Sequence, residues 1–435
     1  MQTTPFNSLD SIFLNLDCRE EPWSVQLEVR VPGTVDPGKL TEAIRLTTAR
    51  HPIARARLKT VKGHHGSYAW EIPDVAEQIP LEVVDASAPG ALEAARARLQ
   101  SHQVPLASSP PFAAMLARHP EGDYIMLNLS HVAGDGLSAF RLMTSIARHY
   151  AGAEDPVPDF DPLEKRHLGK LAGSRGLAQR AQRASLLAEH LWKSRTPPVR
   201  VKTRNVPDGE APGYGFLSLA FSEEETAQIM ARREKPATIN DMLLAGLILT
   251  VREWNHREGG EEGRASIMMP VNLRPKDWWF EVVTNFSSYI PVSLTPDQQT
   301  DFVTAMRAVC ALTTRLKEEG GASTLIDLLE GLDGLRLPDF IKRQLRAAVP
   351  AFERTSIDTA VLSNLGRMPQ PLDFGEAGET QEIWFSPPGM MPLGISVGAA
   401  SMLNKLFLTL RYRKAQFDAA AAEEFAALYR SILLG

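Results

Sequence analysis

The stretch Tyr124-Ile-Met-Leu-Asn-Leu-Ser-His131-Val-Ala-Gly-Asp135-Gly136 decides how this chain folds around its most informative side chain. The apolar residues alternate from Ile125 to Leu129, which predicts a strand that ends close to a histidine. Two glycines then favour a sharp turn before a helical pattern begins at Leu137. We therefore expect His131 at the end of a strand, fixed on one side and open on the other.

The spacing His131-x-x-x-Asp135-Gly136 is unlikely to arise by chance. Independent placement of these residue types in a chain of this composition gives about 0.03 occurrences. Histidine titrates near neutral pH without tuning, so His131 is a candidate general base. Asp135 either orients the imidazole or points away to pair with a basic group, and we favour the second. The alternative for His131 is a satisfied or surface histidine at a strand end.

Length and composition limit the possible classes of protein. A chain of 435 residues predicts two domains, and 44% hydrophobic with 23% charged residues is typical of a globular protein. Cys18 and Cys310 are far apart and without a cysteine–histidine cluster, so we expect neither a disulfide framework nor a metal site. A net charge of -5 does not indicate nucleic acid as the partner. No export signal or membrane span is visible, and we expect a cytoplasmic monomer.

Periodicity predicts a mixed α/β chain divided near its middle. We expect a helix from Pro37 to Ala49, a strand from Ile53 to Leu58, a hairpin formed by residues 111–119 and 124–130, and a buried helix from Ile239 to Trp254. A helical pattern from Leu177 to Leu191 gives way to proline- and glycine-rich sequence. The predicted domains are 1–195, a linker at 196–213, and 214–435.

Four further segments, in this order along the chain, carry a resemblance to a known superfamily. They are Thr238-Ile-Asn-Asp-Met-Leu-Leu244, Met269-Pro-Val-Asn-Leu-Arg-Pro275, Thr284-Asn-Phe286, and Ser363-Asn-Leu-Gly366 leading to Leu372-Asp-Phe-Gly375. With the His131 motif they make the chain resemble the chloramphenicol-acetyltransferase-like acyltransferases, which include condensation domains, BAHD acyltransferases and wax ester synthases. The resemblance implies two α/β lobes, each a mixed sheet with helices, and a tunnel at their junction.

The resemblance also implies a chemistry. His131 would act as general base while an acyl group moves from a coenzyme A or carrier-protein thioester to a hydroxyl or amine of a small molecule or lipid. No acyl-enzyme forms and no cofactor stays bound, because coenzyme A or phosphopantetheine is part of the donor. Asp135 would be structural, in an ion pair for which Arg274 is the best candidate, and Gly136 would admit the pantetheine arm. The alternative function is a catalytically silent binding scaffold.

The remaining candidates each have a plainer explanation. Arg274 is also consistent with a solvated loop charge. Asn285 would hold the acceptor or an oxyanion through its amide, or simply begin a strand. Ser363 and Asn364 would line the tunnel, or only form the turn that ends at Gly366.

At two positions the sequence differs from patterns typical of particular branches of the superfamily. Ser130 stands where condensation domains commonly carry a first histidine, which makes peptide-bond synthesis less favoured. Asp373-Phe-Gly-Glu-Ala lacks the tryptophan of the BAHD Asp-Phe-Gly-Trp-Gly segment, so close kinship with the plant enzymes is not indicated.

A basic segment lies before the predicted linker. Residues 165–204 contain eleven lysines and arginines and a single acid, Glu189. Such a segment would attract an acidic carrier protein, the phosphates of coenzyme A, or an anionic membrane that the protein contacts peripherally. The alternative is a solvated helix between the lobes.

Overall fold

The computed structural model describes residues 1–59, 68–193, 195–204, 213–278, 281–334, 358–389 and 394–435. The helices are α1 (Ser8–Leu16), α2 (Pro37–Arg50), α3 (Ala91–Gln100), α4 (Gly136–Ala151), α5 (Leu168–Ala172), α6 (Leu177–Lys193), α7 (Glu223–Ala231), α8 (Ile239–Arg257), α9 (Phe302–Glu318), α10 (Gly321–Gly334) and α11 (Ala419–Leu434). The strands are β1 (Gln2–Pro5), β2 (Ser24–Arg30), β3 (Arg57–Lys59), β4 (Ala69–Ile72), β5 (Leu81–Asp85), β6 (Phe112–Arg118), β7 (Tyr124–Ser130), β8 (Tyr214–Phe221), β9 (Ala265–Asn272), β10 (Ser287–Leu294), β11 (Ala360–Arg367), β12 (Glu382–Ser386), β13 (Ile395–Met402) and β14 (Lys405–Arg413).

The first lobe is built on a five-stranded sheet in the order β12-β2-β7-β6-β5. Strand β7 lies at its centre, antiparallel to both β2 and β6, and all seven of its residues are buried. Helices α2 and α4 pack on each other, and α4 also contacts β2. The hairpin predicted at 111–130 is therefore present. His131 directly follows the last residue of the central strand, at the end of the sheet.

The second lobe is built on a six-stranded sheet in the order β10-β9-β11-β13-β14-β8. Helix α8 packs against α9 and α11 beside this sheet. Its buried positions extend nearly all round, as the sequence predicts, and it begins with a capping box between Thr238 and Asp241. That box satisfies two amide groups at the helix start, so the Thr238 segment has a structural role here.

One strand crosses between the lobes. Strand β12 lies in sequence between β11 and β13 of the second lobe but pairs with β2 of the first lobe, from Glu382 opposite Arg30 to Ser386 opposite Gln26. The same strand contacts β13 and β14 of the second lobe. The two lobes are thus joined by backbone hydrogen bonds as well as by side-chain packing. Local periodicity in the sequence does not predict this pairing.

Some local predictions differ from the structure. The strand expected from Ile53 to Leu58 is a short 3-10 helix, Pro52–Arg55, followed by the three-residue strand β3. Proline at the first position fixes φ near the helical value, which favours the turn over an extended segment. Of the predicted linker at 196–213, residues 205–212 lie outside the described residues. Within the described part of the chain, no helix is long and apolar enough to cross a membrane.

Candidate functional site

His131 lies directly after β7, where the chain turns into α4. Its amide donates to the carbonyl of Trp23 at 2.8 Å, which extends the pairing of β2 with β7 by one step. The histidine backbone is therefore held by the sheet, while the side chain is half-buried at the sheet's end. This is the placement that the alternation of the strand predicts.

The imidazole is oriented by one hydrogen bond. Nδ1 lies 3.0 Å from the carbonyl oxygen of Gly134. A carbonyl only accepts, so Nδ1 carries the proton in the neutral ring and Nε2 keeps the lone pair. The turn that follows the strand thus selects the tautomer a base requires.

Two aromatic rings cover the imidazole. Phe13 stacks on His131 with ring centroids 4.2 Å apart, and Trp23 lies roughly parallel at 6.2 Å. Burial lowers the pKa of His131 below its ordinary value of 6.5, although the Gly134 carbonyl and the Asp135 charge oppose this shift. The ring is therefore neutral at pH 7 and able to accept a proton.

Asn285 holds the backbone around the histidine. Its Nδ2 lies 2.7 Å from the carbonyl oxygen of His131, 3.0 Å from that of Val132 and 3.1 Å from Asp10 Oδ1. The side chain is fully buried and its donor atoms face these protein oxygens. In this structure the amide therefore positions the histidine turn, and it does not face the cavity described below.

Asp135 points away from the imidazole and towards the second lobe. Arg274 reaches its two carboxylate oxygens at 2.7 and 2.8 Å, and the amide of Phe286 donates to it at 3.0 Å. Burial alone would raise the pKa of Asp135, but Arg274 and these amide donors hold it below the usual value of 3.8. The carboxylate is thus a charged, bidentate link between lobes rather than a partner of His131.

Ser138 completes this link. Its hydroxyl oxygen accepts from the Thr284 amide at 3.0 Å and from Arg274 at 2.9 Å, and it lies 2.8 Å from the Thr284 carbonyl oxygen. The Asp135 side chain also caps α4 through the Ser138 amide at 3.1 Å. One turn of the first lobe is therefore fastened to the segment 274–286 of the second.

Gly136 is required by packing across the lobes. A Cβ atom at this position would lie 2.6 Å from Leu365 Cδ2 and 2.8 Å from Phe385 Cε2. Both contacts are shorter than real Cβ atoms show, so a larger residue at this position would require the Leu365 and Phe385 side chains to move. In this structure the side chains of Leu365 on β11 and Phe385 on β12 make the close approach to Gly136.

A cavity of about 240 Å³ opens beside His131 at the junction of the lobes. The first lobe contributes His131, Asp135, Gly136 and the helix α1 face, and the second contributes residues of β9, β10 and β11. The strand that crosses between the lobes, β12, contributes Phe385. Its wall is predominantly apolar. Such a space favours an apolar substrate, with the few polar groups fixing its orientation.

The two candidates on β11 divide between cavity and turn. Ser363 lines the cavity. Asn364 accepts the Gly366 amide at 2.8 Å and is not among the lining residues. Arg274 is likewise buried away from the cavity, in the ion pair with Asp135.

Several cavity residues were not predicted from the sequence. Helix α1 supplies four apolar side chains and β10 supplies Tyr289, whose pKa burial raises to about 12. Phe13, one of these four, and Trp23 were missed because an aromatic residue in this part of the chain carries no local signal of a site. Asn285 links Asp10 of α1 to the carbonyl of His131, so the tertiary packing holds this helix beside the histidine.

The basic segment is partly neutralised inside the protein. Arg166 pairs with the buried Asp10, and Arg183 lies 2.9 Å from Asp327. Exposed arginines remain at positions 175, 180 and 195. Among the described residues there is no cluster of histidine, cysteine, aspartate and glutamate able to hold a metal ion.

Comparison with known proteins gives the family. The condensation-domain model matches residues 12–322. An uncharacterized protein of Mycobacterium tuberculosis (strain H37Rv) is 38% identical over 442 residues, covering 100% of this chain and 99% of that protein. Tyrocidine synthase 1 of Brevibacillus parabrevis is 28% identical over 204 residues, which is 44% of this chain and 18% of that synthase.

Solved structures agree in fold. The first condensation domain of the calcium-dependent antibiotic synthetase, in complex with a substrate analogue, has a TM-score of 0.75 at 16% identity, covering 100% of this chain and 96% of that one. Trichothecene 15-O-acetyltransferase from Fusarium sporotrichioides gives 0.70 at 12% identity, with 99% and 94% covered. The starter condensation domain of rhizomide synthetase, in complex with C8-CoA and Leu-SNAC, gives 0.66 at 16% identity, with 99% and 94% covered. With a two-lobed α/β fold and a family match over most of its length, the chain belongs to the condensation-domain family.

Proposed function

We propose that this protein is an acyltransferase in which His131 removes the proton from an acceptor as the acceptor attacks a thioester. The observation that carries the proposal is the orientation of the imidazole. Its Nδ1 is held by the Gly134 carbonyl at 3.0 Å, and the ring lines an apolar cavity shared by both lobes. A neutral base in that position needs no further residue to activate it.

The proposed step balances without an acyl-enzyme. The acceptor oxygen forms a bond to the thioester carbonyl carbon while its proton moves to Nε2 of His131. Collapse of the tetrahedral intermediate breaks the carbon–sulfur bond, and the departing sulfur takes the proton back from Nε2. The products are an ester and a free thiol, and the histidine returns to its starting state.

The cavity favours an acceptor that enters uncharged. Among the described residues that line it, Asp135 is the one carboxylate, and Arg274 already neutralises it at 2.7 Å. An ammonium group would leave water for an apolar space without a countercharge, which is costly. A hydroxyl acceptor avoids this desolvation. We therefore favour ester formation over amide formation.

The donor is a thioester of coenzyme A or of a carrier protein. A structure of similar fold was solved with C8-CoA, and one of the similar proteins is tyrocidine synthase 1. The basic segment at 165–204 would serve an acidic carrier, the coenzyme A phosphates or an anionic membrane. The apolar cavity wall is consistent with an aliphatic acyl chain.

A thiol-release assay tests the function directly. Wild type, His131→Ala and the control His256→Ala are incubated with a panel of acyl thioesters and alcohols, and free thiol and product mass are followed. The His256 side chain is 71% exposed, so the control changes a histidine away from the cavity. We expect turnover in wild type and control only.

The competing function is a silent binding scaffold. It predicts thioester binding without thiol release and equal behaviour of wild type and His131→Ala in the assay. Equal rates of thiol release in the two proteins would remove the enzymatic proposal. Binding measured by calorimetry with a non-hydrolysable thioester analogue distinguishes a scaffold from a protein that ignores such ligands.

A further inference from the structure

Helix α6 presents an apolar face to solvent. Leu177 at its start is 84% exposed and Trp192 near its end is 66% exposed. Between them Ala181, Ala184 and Ala188 are also exposed, at spacings that place all five on one side of the helix. The distance from the first to the last is about 23 Å at 1.5 Å per residue. Because large hydrophobic side chains are exposed to water at both ends of this face, the face is a candidate binding surface.

The opposite side of α6 is fixed to the protein. The Arg183 side chain is 7% exposed and reaches Asp327 of α10 at 2.9 Å. Leu186 and Leu187 are half-buried on this inner side. The orientation of the helix is therefore set by an ion pair and packing, and the apolar outer face follows from it.

Cations border the exposed face. Arg175 precedes the helix, Arg180 lies on its flank and Arg195 follows it, and all three are exposed. None of them pairs with a carboxylate within the described part of the chain. The border of the exposed α6 face is therefore positively charged and attracts an anionic partner.

The face lies one helix away from the cavity. Leu325 of α10 lines the cavity beside His131. Two and three residues later on the same helix, Asp327 and Leu328 border a groove shared with Arg180 and Leu187 of α6. Packed helices are separated by about 8–10 Å, so α6 is close to the cavity wall formed by α1 and α10.

We propose that α6 is an interfacial helix that binds the surface of an anionic membrane and brings this wall of the cavity to the lipid. An apolar stripe with tryptophan at its end and arginines at its borders is the pattern of helices that lie in the headgroup region. An acidic carrier protein would satisfy the arginines but not an apolar face of this length. The proposal rests on the proposed function only where it names the acceptor, which would be a membrane-dissolved alcohol.

Vesicle sedimentation tests the contact without using activity. The full-length protein is mixed with vesicles of phosphatidylcholine alone, or of equal parts phosphatidylcholine and phosphatidylglycerol. We expect binding to the anionic vesicles that weakens with salt. Arg175→Glu with Arg180→Glu and Arg195→Glu should reduce it by about tenfold or more, since each cation near an anionic surface contributes separately. Leu177→Ser with Trp192→Ser should reduce it similarly.

A matched control and a second readout keep the test decisive. Arg233→Glu with Lys235→Glu and Lys414→Glu makes the same charge change at exposed positions away from α6 and should bind nearly as wild type. His131→Ala should bind vesicles fully, so loss of the proposed function would not imitate loss of the membrane contact. With a water-soluble alcohol and a coenzyme A donor, Leu177→Ser with Trp192→Ser, which leaves the cations of the basic segment in place, should release thiol at the wild-type rate.

Three results would overturn the membrane assignment. One is equal, weak binding to both kinds of vesicle. Another is a charge reversal that leaves vesicle binding intact but weakens use of a carrier-protein donor, which would give the face to the carrier. The third is a lipid-free dimer that Leu177→Ser with Trp192→Ser dissociates, which would give it to a second copy of the chain.

Discussion

Two histidine regions of the first lobe share most of their chemistry and differ in one respect. Burial lowers the pKa of both His131 and His51, and the charge of an aspartate, Asp135 or Asp155, opposes the shift in each. The Nε2 of His51 is 2.8 Å from Ser145 Oγ, and its side chain is 2% exposed among Arg50, Arg141 and Asp155. His131 instead has its ring against a cavity. A lowered pKa is common to both histidines, and contact of the ring with a cavity separates the candidate base from the structural histidine.

The largest effect expected is on turnover. His131→Ala should lower kcat/KM by about 10²–10⁴-fold, the usual contribution of a general base. His51→Gln should leave kcat/KM within about threefold of wild type in the folded protein, because that ring does not meet substrate. Steady-state thiol release for both variants checks the comparison. A comparable loss in both would mean that access does not distinguish the two regions.

The next effect concerns stability. Arg274→Met leaves the Asp135 carboxylate buried without its cation and should cost about 3–5 kcal/mol in the free energy of unfolding. The side chains of this pair are 1% and 4% exposed, so solvent does not compensate. Urea denaturation measures the change. Arg257→Met, which breaks an exposed pair with Glu253, is the matched control and should be close to wild type.

The third effect is a dependence on pH. Both rings have folded pKa values below 6.5, so the unfolded chain binds more protons as the pH falls through that value. Stability is therefore present above pH 6.5 and declines below it towards the folded pKa. His51 has the larger shift, caused by burial and then by Arg141 and Arg50, so His51→Gln should remove most of this decline. Urea midpoints across this range of pH test it; an unchanged decline would contradict the assignment.

Activity, like stability, should decrease as the pH falls below 6.5. Turnover by wild type should be constant at neutral pH and should fall on acidification with a midpoint below 6.5, where His131 becomes protonated. His51→Gln should keep that midpoint for turnover while losing the matching change in stability. We thus expect His131 to determine the pH dependence of turnover and His51 to determine most of the pH dependence of stability.

The smallest effect expected is at the stacked ring. Phe13→Leu removes the aromatic face 4.2 Å from the imidazole but keeps an apolar side chain. We expect a loss in kcat of about threefold to tenfold, the value of one aromatic contact, with little change in KM for a small alcohol. Leu16→Met changes another cavity residue of α1 that stacks on nothing and is the control. Equal kinetics for Phe13→Leu and wild type would show that the hydrogen bond to Gly134 orients the imidazole alone.

Sequence reasoning was most effective where a feature is local. The alternation before His131 predicts β7, the glycine turn predicts the start of α4, and Thr238 with Asp241 predicts the start of α8. It was least effective for strands buried on both faces or paired with distant segments, such as β2 and β12, since these lack a period of two and their pairing depends on the other lobe.

What the sequence by itself determined is the histidine at a strand end and the order of the family's motifs, because each motif consists of neighbouring residues. The sequence favoured an aspartate turned away from the histidine, and the structure shows it paired with Arg274. Only the tertiary structure decided that Phe13 covers the imidazole, that Asn285 holds its backbone and that β12 joins the lobes. These contacts join segments more than a hundred residues apart. Their physical cause is packing and desolvation, which depend on the whole fold and leave no spacing in the chain.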